Sequence, residues 1–362
     1  MNIYSFFHNF RYNSIFMGKL KYFGVYFTPA LALISLNSNG IWAYFGIVTL
    51  YLIIPLLEVL LPKDSYNLNK AEKELAKGDW FYDIVLYLLV PLHLYVIYVF
   101  LHAVSNPDIA NADLIAYILM MGTVLGVNGI NGGHELGHKV GEPFKLFMAH
   151  VLLTTSFQNH FMTYHNSGHH RDVATPNDFT SAKKGDIFYL FAIKSQIGGY
   201  FKTWRLEAEK SKKMGRSLLF NPMILFTIIP WSFIVLIYFL FGLKIAGLYF
   251  MAAIFGISIL EAQNYFSHYG LRRKQRENGT YENVKVIHSW NSDHLLGRIL
   301  LFELTRHSDH HFMGSKPYQV LESREESPML PYGYPAMLIL SYFPFLFIPI
   351  MEKELKKQGF IS

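Results

Sequence analysis

The chain has 362 residues, of which 52% are hydrophobic, 17% aromatic and only 16% charged, with a formal net charge of +6. Soluble domains carry about a quarter charged residues, so this is a membrane composition and excludes an ordinary soluble globular protein. There is no cysteine, which excludes disulfides, thiolate-bound zinc and any built-in iron–sulfur centre; electrons for a redox reaction have to arrive from another protein.

From the N-terminus, Met1 to Lys21 interleaves aromatic residues with Arg11, Lys19 and Lys21 and lacks the short apolar stretch and small-residue cleavage site of a signal peptide. It reads as an interfacial lead-in helix. Apolar runs then predict an all-α polytopic membrane protein with six transmembrane helices, at about residues 23–39, 42–61, 82–104, 112–132, 218–241 and 245–263. Polar residues interrupt the first span, and the fifth carries Pro222 and Pro230, which membrane helices tolerate as kinks. Regions 133–217 and 264–333 form a histidine-rich helical cap, and 334–351, broken by Pro335, Pro344 and Pro349, reads as re-entrant or interfacial. Residues 1–362 are expected to make one domain.

Six spans put both termini on one side, together with thirty-one of the thirty-two Lys and Arg residues; Lys244 alone lies opposite. The positive-inside rule makes that side, with the cap, cytoplasmic, as in a bacterial inner-membrane protein. The positive balance needs no nucleic acid as partner.

Nine of the sixteen histidines fall in four groups: His134 and His138; His165, His169 and His170; His268; and His307, His310 and His311. Spacings of three or four stack imidazoles on one helix face, and imidazole is the commonest metal ligand. By α-helical geometry His165 and His169 serve one ion and His170, turned about a hundred degrees, a neighbouring one. Carboxylates suited to orienting ligand imidazoles are Glu135, Asp172 and Asp309. The other seven histidines (His8, His93, His102, His150, His160, His288 and His294) stand singly and are left as packed or hydrogen-bonded residues.

His134-Glu135-Leu136-Gly137-His138 also fits the H-E-x-x-H pattern of zinc metalloproteases, with Glu135 as general base. Such a site uses three protein ligands and leaves six clustered histidines unexplained. A transporter would string its histidines along the spans instead. Nine imidazoles exceed what tetrahedral zinc takes and suit two iron ions with positions left for oxygen.

These residues resemble the integral-membrane alkane hydroxylases (alkane 1-monooxygenases), a branch of the group that includes membrane fatty-acid desaturases and xylene monooxygenase. The resemblance covers about Gly132 to Met337. It rests on Asn131 to Lys139, His165 to His170 followed by Val173-Ala-Thr-Pro176, Asn264 to Leu271, His288 to Asp293, Arg306 to His311 and Leu330 to Pro335. It implies a non-haem diiron monooxygenase that hydroxylates the terminal methyl of medium-chain alkanes with O2. The electrons would come from a rubredoxin-type carrier and its NAD(P)H-dependent reductase. Its implied metal ligands are the nine grouped histidines, His268 resting mainly on the resemblance. The family usually has Glu where this chain has Tyr164 and Ser267; xylene monooxygenases share the second departure, which keeps aromatic-methyl and fatty-acyl substrates in view. The hydrophobic substrate would enter from membrane lipid; Trp42, Tyr51 and Phe255 read first as packing aromatics of the spans and second as bulky residues able to limit how far it threads, and the basic run Lys202 to Arg216 would dock an acidic carrier or lipid headgroups.

Overall fold

The computed structural model describes residues 18–139 and 141–361; the lead-in helix expected within Met1 to Lys21 falls largely outside them. Among the described residues the fold is all-helical, and extended pairing is limited to three isolated bridges. The first apolar segment forms a 3-10 stretch, Lys21–Tyr26, that leads into α1 (Phe27–Leu36). Five helices are long and apolar enough to cross a membrane: α2 (Gly40–Leu60), α3 (Phe81–Val104), α4 (Asn111–Gly137), α6 (Met223–Phe241) and α7 (Leu243–His268), with α5 (Phe188–Lys213) between α4 and α6.

The expected span at 23–39 is not among the five. The ten residues of α1 rise about 15 Å against a hydrocarbon core of about 30 Å. The segment nevertheless runs the length of the bundle: Lys21 Nζ lies 2.7 Å from Glu303 beside the histidines, and Ser38 O accepts from Tyr117 OH at 2.8 Å near the start of α4. The span expected at 218–241 starts later, because Pro222 lacks an N–H and separates a short turn, Leu218–Phe220, from α6. Segment 334–351 splits at Phe343, before Pro344, into α9 (Tyr334–Ser341) and α10 (Pro344–Lys357). Phe347 packs on Tyr265 of α7 and on Tyr269 just past its end, with ring centroids 4.6 and 5.2 Å apart.

Two membrane helices carry histidines at their C-terminal ends, and glycine sets how closely they pack. A Cβ on Gly122 of α4 would lie 2.6 Å from Ala252 O, and one on Gly256 of α7 would lie 2.8 Å from Gly122 O. Small residues let membrane helices meet backbone to backbone. Gly256→Val is expected to force α4 and α7 apart, costing about 1–3 kcal/mol as an overpacked contact. A lower unfolding temperature in detergent, with less metal retained per chain, checks this.

The helix with the last histidine group, α8 (His307–Phe312), follows a turn in which Phe302 and Glu303 both have positive φ, 54° and 56°. Such conformations cost about 1–3 kcal/mol each and persist only where their surroundings enforce them. Glu303 is the anchor: it accepts from Arg298 Nε at 2.6 Å, Lys21 Nζ at 2.7 Å and Tyr22 OH at 3.0 Å. Burial pushes this carboxyl up, but Arg298, Lys21 and Arg306 outweigh it and hold it well below the usual carboxylate range.

Candidate metal centre

All nine grouped histidines meet at one end of the bundle, in two sets. His134, at the end of α4, and His138 sit one turn apart on a continuing helix, their Nε2 atoms 2.8 Å apart. His134 Nε2 lies 2.9 Å from that of His165 and 3.2 Å from that of His310; His165 and His310 are separated by 3.3 Å. His170 completes the first set at 2.9 Å from His165 and 3.1 Å from His310. In the second set His169 reaches His311 at 3.2 Å, His311 reaches His307 at 3.1 Å, and His307 reaches His268 at 3.1 Å. The sets touch: the His170 and His311 ring centroids are 4.5 Å apart.

One sequence expectation is corrected here. His165 pairs with His170, while His169 belongs to the other set. The cause is local: residues His165–His169 form a π-helical turn in which His170 N–H bonds His165 O, so the side chains that line up are i and i+5 rather than i and i+4. A second π-helical turn, Leu125–Asn131, ends three residues before His134.

The spacing fits bound cations better than hydrogen bonds. His134, His165 and His310 form a triangle of Nε2 atoms, yet each Nε2 offers either one proton or one lone pair, so at most two of its three edges can be hydrogen bonds. Imidazole nitrogens held at about 2.1 Å from a metal at right angles to one another are separated by about 3.0 Å, the spacing found throughout both sets. Burial, followed by the neighbouring imidazoles, lowers His138, His165, His170, His307, His310 and His311 well below the ordinary histidine range, which favours the neutral, ligating form.

The carboxylates divide differently from the expectation. Glu135 Oε1 lies 3.1 Å from His134 Nδ1. Asp309 is buried but turns to Lys316 Nζ at 2.6 Å and Arg324 Nε at 2.8 Å, and Asp172 is held by Arg171 and Lys202. Neither is seen on a grouped imidazole. Sequence reasoning missed Asp178, which lies 2.8 Å from His169 Nδ1 and accepts from Ser181 Oγ at 2.6 Å, Thr180 Oγ1 at 2.8 Å and Tyr164 OH at 2.9 Å. Burial pushes the Asp178 carboxyl up; His169 and Ser181 outweigh it and leave it below the usual carboxylate range. The only sequence signal was an Asp between Asn177 and the Phe179-Thr180-Ser181 run, eight residues past the second histidine group. Tyr164 therefore buttresses Asp178, and Ser267 Oγ lies 3.2 Å from Tyr334 OH.

An apolar cavity of about 110 Å³ opens onto both sets through His134, His165 and His307. Tyr51 lines it, its OH 2.8 Å from Thr123 Oγ1. Trp42 is 65% exposed on the outside of the bundle, and Phe255 packs against Gly122 rather than facing the cavity. Of the proposed basic dock, Lys202 is withdrawn into its pair with Asp172, at 2.6 Å.

Of the single histidines, His93 Nε2 bonds Thr155 at 2.9 Å and His294 Nδ1 bonds Ser292 at 2.9 Å; His8 lies outside the described residues.

Residues 112–340 match the family model described as fatty acid desaturase. Alkane 1-monooxygenase 1 of Alcanivorax borkumensis is 35% identical over 90% of this chain and 81% of its own length. An alkane 1-monooxygenase of Pseudomonas putida is 33% identical over 94% of this chain and 86% of its own. The xylene/toluene monooxygenase hydroxylase component of Pseudomonas putida is 26% identical over 94% and 90%.

Proposed function

The chain belongs to the fatty acid desaturase family, among the alkane 1-monooxygenases, and from that premise we propose that it hydroxylates the terminal methyl of medium-chain alkanes. The net reaction is RH + O2 + 2H⁺ + 2e⁻ → ROH + H2O. We assign the electrons to a rubredoxin-type carrier and its NAD(P)H-dependent reductase, since a chain without cysteine holds no iron–sulfur centre of its own. The charge asymmetry supports a bacterial inner-membrane location with both termini and the histidine cap in the cytoplasm.

The carrying observation is the apolar cavity that reaches ligands of both sets. Two non-haem irons, one among His134, His138, His165, His170 and His310 and one among His169, His268, His307 and His311, would supply dioxygen activation and C–H oxidation. The chain's own residues do the rest. Asp178 takes the Nδ1 proton side of His169 and fixes its tautomer. Ile130, Leu260, Leu304 and Leu338 line the cavity, exclude water and hold an extended chain by burial worth about 0.8 kcal/mol per methylene. A substrate partitioned into lipid reaches this cavity without crossing water.

The test is product analysis with purified protein, reduced carrier and a panel of alkanes, xylenes and fatty-acyl substrates under labelled oxygen. A primary alcohol carrying one labelled oxygen is the expected product of the alkanes. Preference for xylene, or an alkene from an acyl chain, would overturn the assignment in favour of those branches.

A further inference from the structure

A second cavity of about 10 Å³, with polar side chains in its lining, borders the metal centre, the room of about one water. Glu261, Asn264, Gln158 and Thr180 line it, together with His165 and His169 from the two sets. Glu261 stands on α7 two turns before His268 and is 2% exposed. Its Oε1 accepts from Gln196 Nε2 at 2.5 Å, and Gln196 is in turn fixed by Gln158 at 3.0 Å. Its Oε2, beside Ser195 and Asn264, makes no hydrogen bond of normal geometry. Among the described residues no Lys or Arg is paired with it. A buried carboxyl without a cation is costly, and an ionisable group at membrane depth that faces a cavity with other polar side chains in its lining is a functional group by default.

We propose that Glu261 is the proton relay of the metal centre, acting through the cavity rather than touching the reacting atoms. This rests on the monooxygenase reading, whose reaction consumes two protons. In each transfer the Glu261 O–H bond breaks, the proton crosses the cavity on a water molecule, and it ends on the oxygen atom that leaves as water; the two electrons come from the reduced carrier. The carboxylate then recovers a proton from the cytoplasm. The titratable groups facing it are His160, Tyr164, His165, His169 and, behind Thr180, Asp178.

The test uses full-length, iron-loaded protein with reduced carrier. Glu261→Gln keeps the shape and the hydrogen bond to Gln196 and is expected to lower kcat by roughly 10²-fold, the low end for a positioned acid–base group. Metal content and KM should be unchanged, and one step of the kcat–pH profile should vanish. Glu261→Asp should restore that step. Infrared spectroscopy of the metal-free wild type should show a carboxyl band that responds to pH and is missing from Glu261→Gln. A Gln variant with wild-type kcat and pH profile overturns the proposal, as does a parallel loss of metal and rate that Asp does not rescue. If the wild type hydroxylates nothing, the monooxygenase reading fails; a Glu261 band indifferent to pH ends the relay by itself.

Discussion

His310→Ala is expected to abolish hydroxylation, leaving at least about 10³-fold less activity than wild type, beyond the 10–100-fold typical of losing a supporting partner. His310 Nε2 lies 3.2 Å from His134, 3.3 Å from His165 and 3.1 Å from His170, so it is the atom that ties the last histidine group to the first set. The second set contains no atom of His310 and keeps its internal spacings of 3.1 and 3.2 Å. The variant should therefore bind one ion per chain instead of two while still folding. Metal analysis alongside the activity assay reads both effects. Loss of both ions would mean that the sets are not separate sites.

Asp178→Asn should follow with a 10–100-fold loss in metal affinity and activity. The carboxylate receives hydroxyl donors from Tyr164, Thr180 and Ser181 as well as lying 2.8 Å from His169 Nδ1. An amide at this position offers one oxygen where two are used, and turns an N–H2 toward existing donors. His169 then loses the group that fixes its ring, and the second set is the one that weakens. Titrating metal-free protein with ferrous iron should show one site with near-normal affinity and one weakened. Asp309→Asn, by contrast, should spare metal affinity, since Asp309 is engaged by Lys316 and Arg324.

These contrasts show what could be read from residues alone. Grouping of the nine histidines was legible because contacts within a helix turn are written as short spacings, as for His134 and His138 or His307 and His311. The division of the second group was not: a π-helical turn changes which neighbours align, and nothing in His165-Asn-Ser-Gly-His-His170 announces one. Asp178 was equally silent, since a loop carboxylate acquires its meaning only when the loop folds back onto His169. Asp172 and Asp309 were attractive for lying close in sequence to ligands, yet both found stronger partners in Arg and Lys side chains. The five long apolar helices could be read from hydropathy. The first segment could not be read fully, because its 3-10 entry and short α1 fall below the length of an ordinary crossing.

Iron stoichiometry of the purified wild-type protein bears most directly on the paired centre. The account predicts two irons per chain. A single ion per chain at saturation, whatever its identity, would contradict it.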